Sequence, residues 1–154
     1  LWLPYIDVLK MNIEEAGCCW FRKEYKPEEL KQEYQELSEQ EMADFAMHAL
    51  ERGVKAVIIT LDSRGCQVYS MPDGTFQAKF VPSIPVDEVI DTTGCGDAFS
   101  AGFIAGVVLG KSMENAVEMG IASGSAVARA LGSDAGVNSM DELEQFRTSV
   151  PLRT

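Results

Sequence analysis

The sequence predicts an α/β domain, because strand-like and helix-like segments alternate in the first half of the chain. Residues 56–61 form an almost unbroken apolar run, which is typical of a strand buried on both faces of a parallel sheet. An earlier strand-like run at residues 5–11 ends at Asn12 and leads into one or two helical turns at residues 13–19. Helical sequence between two such strands predicts a βαβ unit, and the later elements fit a layered α/β fold.

Two further helices are expected between these strands. Pro27 and the acidic residues after it favour a helix at residues 26–37. Ser38 and Glu41 have capping-box spacing, which predicts the start of a second helix. Its apolar stripe continues to Gly53, where a glycine is typical of a helix end.

A hairpin is predicted next, followed by three helices. Residues 66–71 and 75–81 read as strands that flank a Pro-Asp-Gly turn. The following helices are expected at residues 97–109 and 112–131, the second ending at Gly132. The first of these is rich in small residues, which would let another backbone approach closely. A last short helix is expected after Ser139, again from capping-box spacing.

Composition and charge restrict the class of partner. The chain has 154 residues, of which 46% are hydrophobic, enough for the core of one domain. Its net charge of -11 argues against nucleic acids and anionic membranes as partners. No apolar run approaches the roughly 20 residues that span a bilayer, and no secretory signal is visible. The four cysteines show neither zinc spacing nor a disulfide framework, so we expect reduced thiols in a cytoplasmic protein.

The most informative segment is Asp-Thr-Thr-Gly-Cys-Gly-Asp at residues 91–97. Gly94 and Gly96 allow a tight turn at the start of a helix, where outward-pointing amides and the helix dipole can bind phosphate. Asp97 stands at the same end, where bound phosphate would repel it. That placement makes sense if its carboxylate takes a proton from the group that attacks the phosphate. The alternative is that Asp97 only caps the helix.

The longer pattern Asp-Thr-Thr-Gly-x-Gly-Asp-x-Phe, followed by a helix of small residues, resembles the C-terminal signature of the ribokinase-like sugar and nucleoside kinases. The resemblance extends over roughly residues 3–137. It implies a three-layer αβα, Rossmann-like sheet, of which this chain would be a C-terminal portion. Residues 1–154 would then form a single α/β nucleotide-binding portion of a larger kinase domain, with the N-terminal substrate and lid part absent.

The resemblance also implies roles for the motif residues. Asp97 would be the general base, and the amides of Gly94, Cys95 and Gly96 would form an anion hole for the phosphoryl group of ATP. Cys95 replaces a common alanine in this motif. Its thiol either has a lowered pKa at the helix N-terminus or is a small, partly buried hydrophobe.

The other expected contacts with ATP and Mg²⁺ come from two earlier segments. Asn12 and Glu15 match an element that organises Mg²⁺ and phosphate in this family, often through water, although the same spacing alone is typical of a helix cap. The family's nucleotide-contacting turn after a strand corresponds to four residues here, Thr60, Asp62, Arg64 and Gly65. Asp62 stands where glycine is usual, and Arg64 either reaches a phosphate or is a solvated surface residue.

A monovalent-cation site is a further expectation from the resemblance. Asp91 and Thr93 match its first part, and the turn at residues 132–136 would supply carbonyl oxygens for K⁺. The alternative is that Asp91 closes the turn by accepting backbone hydrogen bonds.

The resemblance implies an ATP-dependent phosphotransferase that moves the γ-phosphoryl group to a hydroxyl of a sugar or related small molecule. A nucleoside kinase of the adenosine type and a non-catalytic nucleotide-binding module are the alternatives. The chain has neither a P-loop nor the protein-kinase signature set. Since an edge of the sheet would be exposed, we also consider a homodimer.

Overall fold

The computed structural model describes residues 2–21, 37–136 and 139–149. Two compact units divide the chain, one comprising Leu1–Asp62 with Cys66–Phe80 and the other Ser63–Gly65 with Val81–Thr154. The first unit contains most of a β-sheet and two helices, and the second contains three later helices. All but the last residue of the helix predicted at residues 26–37 lie outside the described residues.

The four strands of the sheet follow one another in space as they do in sequence. They are β1 (Val8–Asn12), β2 (Ala56–Thr60), β3 (Gly65–Ser70) and β4 (Gln77–Pro82). β1 and β2 are parallel, and β2 and β3 are antiparallel. All but the last residue of β2 is buried, which confirms the prediction of a strand covered on both faces.

Helices α1 (Ile13–Phe21) and α2 (Glu39–Leu50) complete the first unit. The predicted capping box of α2 is confirmed, because the Ser38 hydroxyl accepts a hydrogen bond from the Glu41 amide at 3.3 Å while Glu41 Oε2 accepts one from the Ser38 amide at 2.8 Å. The apolar stripe of α2 packs into the core with residues from α1, β2 and β3, including Ile13, Met42, Phe45, Val57, Ile59 and Tyr69.

The first strand begins later than predicted. Leu3–Tyr5 form a 3₁₀ turn, in which the Tyr5 amide donates to the Trp2 carbonyl at 2.9 Å. Pro4 favours this turn because its φ is fixed and it has no N–H to give to a strand. The predicted Pro-Asp-Gly turn does lie between β3 and β4, as a 3₁₀ turn at Pro72–Gly74.

The second unit contains α3 (Cys95–Val108), α4 (Met113–Val127) and α5 (Met140–Ser149). α3 and α4 approach so closely that their backbones touch. A Cβ atom on Gly102 would lie 2.6 Å from the Met119 carbonyl oxygen, and one on Gly120 would lie 2.8 Å from that of Phe99. The expectation that the small residues of α3 admit another backbone is therefore confirmed.

Helix α4 ends four residues before the predicted end at Leu131. Its C-cap residue, Ala128, donates its amide to the Gly124 carbonyl, but its own carbonyl accepts the Ile90 amide at 2.8 Å. The amides of Arg129 and Ala130 then bond to carbonyls three residues back, which tightens the chain into a turn. A contact with a distant segment therefore ends the helix.

Helix α5 is joined to α4 by an ion pair. Arg147 pairs with Glu118 of α4 and, at 2.7 Å, with Glu144 of its own helix. Leu143 is buried. Ser139 and Glu142 form the predicted capping box at its start, with the Ser139 amide 2.8 Å from Glu142 Oε2.

The described residues bear on two features considered from the sequence, membrane-spanning helices and the state of the cysteines. No helix within residues 2–21, 37–136 and 139–149 combines the length and apolarity needed to cross a bilayer. All four cysteines lie in the described ranges, and each is a free thiol.

Candidate active site

The turn before α3 is formed by a glycine in the left-handed conformation. Gly94 is the N-cap residue, with φ 82° and ψ −7°, and no side chain caps the helix. α3 begins at Cys95, two residues before the predicted start at Asp97. Asp97 consequently lies in the first turn of the helix and does not cap it, so the structure rejects the alternative of a purely capping aspartate.

The carboxylate of Asp97 points away from the core. Its side chain is exposed, and no described residue forms a hydrogen bond or an ion pair with it. The next two residues, Ala98 and Phe99, are buried and anchor the turn. The sequence therefore presents one acid to solvent at the positive end of a helix.

The amides near Asp97 are only partly available for an anion. The Cys95 amide donates to the Thr92 carbonyl at 3.2 Å, because this bond closes the turn ahead of the helix. The Cys95 amide is therefore already engaged within the turn, and its part in the predicted anion hole stays a prediction. Among the described residues, no group accepts a hydrogen bond from the amides of Gly94 and Asp97. The carbonyl of Gly96 accepts the Ser100 hydroxyl at 2.9 Å.

Asp91 bonds to backbone on two segments. Its Oδ1 accepts the Thr93 amide at 2.9 Å, and its Oδ2 accepts the Gly132 amide at 3.1 Å. The bonds from Thr93, followed by that from Gly132, lower the pKa of the Asp91 carboxyl. The alternative in which Asp91 closes the turn is what the structure contains. A cation bound by Asp91 and Thr93 stays a prediction.

The turn after α4 lies against the turn before α3. A Cβ atom on Gly94 would lie 2.8 Å from Ser133 Cα, so only glycine fits there. Ser133 thus lies beside the glycine-rich loop, and the supply of carbonyl oxygens to K⁺ by the turn at residues 132–136 stays a prediction.

The thiol of Cys95 is not activated by its position. Burial, followed by the negative charge of Asp91, raises its pKa. Its sulfur lies 3.9 Å from the Asp91 carbonyl oxygen and is partly buried. Cys95 is therefore a small, partly buried hydrophobe, which was one of the two alternatives.

In the first unit, Asn12 and Thr60 are opposite one another at the carboxyl ends of β1 and β2. Ligands in open α/β sheets commonly bind at this end of the strands. The Thr60 hydroxyl donates to the Met11 carbonyl at 3.4 Å, which fixes its orientation at the strand end.

Asn12 and Glu15 form a reciprocal cap at the start of α1. Asn12 Oδ1 accepts the Glu15 amide at 2.7 Å, and Glu15 Oε2 accepts the Asn12 amide at 2.9 Å. The described residues contain no group of three or more acidic, histidine or cysteine side chains that could hold a metal. One exposed carboxylate fits Mg²⁺ only through water, with phosphate oxygens as the remaining ligands.

The turn after β2 adopts a glycine-like conformation without a glycine. Asp62 has φ 53°, so it takes the left-handed conformation for which aspartate is one of the more tolerant residues. Its side chain is exposed, as is that of Arg64. Asp62 thus adopts the left-handed backbone conformation that a glycine would favour at this position.

Residues 63–65 are tied to a later segment in the second unit. The Ser83 amide donates to the Arg64 carbonyl at 3.1 Å, and the Ser83 hydroxyl donates to the Ser63 carbonyl. Gly65 is buried, and a Cβ atom there would lie 2.8 Å from Pro82 Cα. Sequence reasoning did not find Ser83, because its partners are backbone carbonyls that leave no mark in the sequence.

Comparison with known proteins now decides the family. The family described as pfkB family carbohydrate kinase matches residues 1–140. The chain belongs to this family. As the resemblance of the motif implied, its α/β fold is part of the ribokinase-like fold.

Three relatives illustrate the range of this pfkB family. The cytidine kinase of Thermococcus kodakarensis is 41% identical over 71 residues, which are 45% of this chain and 24% of that protein. The 2-dehydro-3-deoxygluconokinase of Escherichia coli is 30% identical over 152 residues, covering 83% of this chain and 49% of that protein. A putative ribokinase II of E. coli, solved with ATP and Mg²⁺, is 28% identical with a TM-score of 0.68, covering 94% of this chain and 40% of that one. The chain therefore spans less than half the length of each.

The pfkB-family residues predicted from sequence fall into two groups. Asn12, Glu15, Thr60 and Asp62 belong to the first unit, whereas Arg64, Gly65 and the whole segment 91–97 belong to the second. Within the second unit, the structure adds partners that sequence reasoning did not name. They are the carbonyl of Ala128 and the amide of Gly132, each bonded to the segment before α3.

Proposed function

We propose that the chain is the nucleotide-binding part of an ATP-dependent kinase that phosphorylates a hydroxyl of a sugar or nucleoside. The observation that carries the proposal is the start of α3. Gly94 caps the helix without a side chain, and Asp97 lies in its first turn as an exposed carboxylate with no described partner. An anion-attracting helix end and an exposed acid in one turn are two of the features that phosphoryl transfer to an alcohol uses.

In the proposed reaction, Asp97 accepts the proton of the acceptor hydroxyl as its oxygen attacks the γ-phosphorus of ATP. The new O–P bond forms while the bond between the γ-phosphorus and the bridging oxygen breaks, and ADP leaves with the bonding electron pair. Amides at the helix start, those of Gly94 and Asp97 first among them, stabilise charge on the phosphoryl oxygens. The Cys95 amide contributes less to this stabilisation, because it already donates a hydrogen bond to the Thr92 carbonyl.

The nucleotide and its metal complete the proposal. Bound Mg²⁺ would neutralise phosphate charge, and Asn12 and Glu15 would hold it through water while they cap α1. Thr60, Asp62, Arg64, Gly65 and Gly96 would contact the nucleotide. A similar putative ribokinase II was solved with ATP and Mg²⁺, which supports these two ligands for the present chain. K⁺ at Asp91 and Thr93 is a secondary part of it, and the four free thiols support a cytoplasmic setting.

The class of acceptor follows from the relatives more than from this chain. One similar protein is a cytidine kinase and another is a 2-dehydro-3-deoxygluconokinase, so both nucleoside and sugar-acid hydroxyls occur among them. Both reactions need the same base and the same phosphate site. We therefore propose the shared reaction and leave the acceptor to experiment.

The test uses the protein at its full natural length with ATP, Mg²⁺ and a panel of sugars, sugar acids and nucleosides. We expect ADP release with at least one acceptor. Asp97→Asn should lower kcat on the order of 10²-fold or more, because the variant cannot take the proton. Asp87→Asn, a change at another exposed aspartate, should leave kcat unchanged. Near-normal turnover in Asp97→Asn would remove Asp97 from the role, and ATP binding without turnover on any acceptor would favour a non-catalytic module.

A further inference from the structure

We propose that Asp91 is a positioning residue that clamps the loop before α3 to the turn after α4 and thereby fixes where Asp97 is presented. The proposal deepens the proposed function and rests on it, because it concerns the same site. It assigns Asp91 a role through the backbone that does not require a bound cation.

The first support is the way the two carboxylate oxygens of Asp91 are used. Oδ1 accepts the amide of Thr93, two residues ahead, at 2.9 Å. Oδ2 accepts the amide of Gly132, which is 41 residues away, at 3.1 Å. One side chain therefore holds its own loop in shape and ties that loop to a distant turn. Charged acceptors make stronger hydrogen bonds than neutral ones, which suits this double use.

The second support is a pair of backbone bonds beside the carboxylate. The Ala128 carbonyl, at the end of α4, accepts the Ile90 amide at 2.8 Å and the Asp91 amide at 3.4 Å. Carbonyls at helix ends have no partner within their own helix, so this one is available for the loop. The backbone of residues 90–91 and the side chain of Asp91 thus bind both ends of the turn from Ala128 to Gly132.

The third support is the contact between Ser133 and Gly94, which the clamp holds in place. Ser133, which follows Gly132, lies against Gly94 so closely that a Cβ atom on Gly94 would lie 2.9 Å from the Ser133 carbonyl carbon. Gly94 is the N-cap of α3, and Asp97 follows it by three residues on a regular helix. The position of the Gly132–Ser133 turn therefore determines where the helix starts, and the helix start determines where the Asp97 carboxylate lies.

The experiment compares Asp91→Ala, Asp91→Asn and Asp87→Ala in the full-length protein. Amide hydrogen exchange of Thr93 and Gly132, measured by NMR without substrates, reports the clamp itself. Asp91→Ala should accelerate exchange of both amides by about tenfold or more, and it should lower kcat at saturating substrate on the order of 10²-fold, since small misplacements cost that much. Asp91→Asn keeps one acceptor oxygen and should lie between wild type and Asp91→Ala in both readouts.

Asp87 is the matched control, because it is an exposed aspartate four residues earlier in the same segment, and no described residue bonds to its side chain. Asp87→Ala should change neither readout. Unchanged exchange of Gly132 in Asp91→Ala would overturn the clamp, whether or not turnover falls. Faster exchange with kcat within about twofold of wild type would overturn the positioning role.

The same data separate this inference from the proposed function. Faster exchange in Asp91→Ala, combined with a wild-type protein that phosphorylates no acceptor, would retain the clamp and reject the kinase reaction. Turnover that depends on Asp97 but not on Asp91 would retain the reaction and reject the inference. If Asp91→Ala does not fold, Asp91→Asn has nearly the same volume and provides the same comparison with wild type.

Discussion

A methyl group on Gly94 would lie 2.8 Å from Ser133 Cα and closer still to the Ser133 carbonyl oxygen. The two residues are far apart in sequence, and no side chain joins them. Their contact fixes the turn at the start of α3, where Gly94 has φ 82°. Any side chain at position 94 must therefore overcome both a disfavoured backbone conformation and a backbone collision.

The contact is tested by comparing the loss of stability in Gly94→Ala with that in Gly110→Ala. Gly110 also has a positive φ, of 71°, but a Cβ atom there would meet nothing within 4 Å. Gly110→Ala should lower the free energy of unfolding by about 1 kcal/mol, from conformational strain alone. Gly94→Ala should cost a further ~1–3 kcal/mol, because the backbone must move to admit the methyl group. Urea denaturation measures both, and equal losses would argue against the tight contact.

Glu15→Gln tests whether the cap of α1 also serves the metal. Glu41 occupies the same capping-box position in α2, so Glu41→Gln is its control. Both changes weaken a cap, and each should lower the free energy of unfolding by less than about 1 kcal/mol. Only Glu15→Gln should raise the Mg²⁺ concentration that gives half-maximal activity, on the order of tenfold if Glu15 orients metal-bound water. Equal Mg²⁺ dependence in the two variants would reduce Asn12 and Glu15 to capping residues.

Asp62→Gly should stabilise the turn after β2. Asp62 has φ 53°, where an ordinary side chain costs about 1–2 kcal/mol. Glycine relieves that strain but loses about 0.5–1 kcal/mol of backbone entropy on folding, so the net gain should be about 0.5 kcal/mol. Asp62→Val should destabilise, because branched side chains tolerate this conformation poorly. Asp73→Gly is the parallel case, with φ 52° in an exposed turn, and should give a similar gain. A loss of stability in Asp62→Gly would mean that the aspartate side chain makes a favourable contact.

Alkaline pH should destabilise the sheet through two buried groups of β3. Burial raises the pKa of the Cys66 thiol from 9.0 to about 12. Burial, with the charge of Glu39 second, raises the pKa of Tyr69 from 10.0 to about 12. Between the ordinary pKa of each group and its raised pKa of about 12, the folded protein keeps a proton that the unfolded chain has lost. The free energy of unfolding therefore falls as pH rises above about 9.

The alkaline effect is measured by urea denaturation at about pH 8 and about pH 10, on either side of the unfolded thiol pKa. Cys66→Ala is less stable at both values because it leaves a cavity, but its stability should fall less between them than that of the wild type. Parallel losses in the two proteins would show that ionisation of Cys66 does not contribute.

Much of the fold was predictable because its signals are local. The capping boxes at Ser38 and Ser139 each join residues three apart, so their spacing is visible in the sequence. The buried strand β2 was visible as a run of apolar residues. Part of the candidate site was visible in the same way, since the motif at residues 91–97 places Gly94 and Asp97 three residues apart, and the roles of these residues stay predictions.

The differences arose where a second backbone group, distant in one case and three residues away in the other, bonds to a local one. The predicted end of α4 was too late because the carbonyl of Ala128 bonds to Ile90. The Cys95 amide, which was expected in the anion hole, already bonds to the Thr92 carbonyl. Both involve backbone atoms, which every residue carries, so residue identity does not reveal their partners.

The sequence by itself determined the family, the order of the elements and the acid at position 97, because each depends on side chains with a fixed spacing. The tertiary structure alone decided that the Asp97 side chain is exposed and does not cap α3. It also decided that Asp91 bonds to Gly132 and that Gly94 lies against Ser133. The last two relationships join segments about forty residues apart, and only the packing of the second unit brings Asp91 near Gly132 and Gly94 near Ser133.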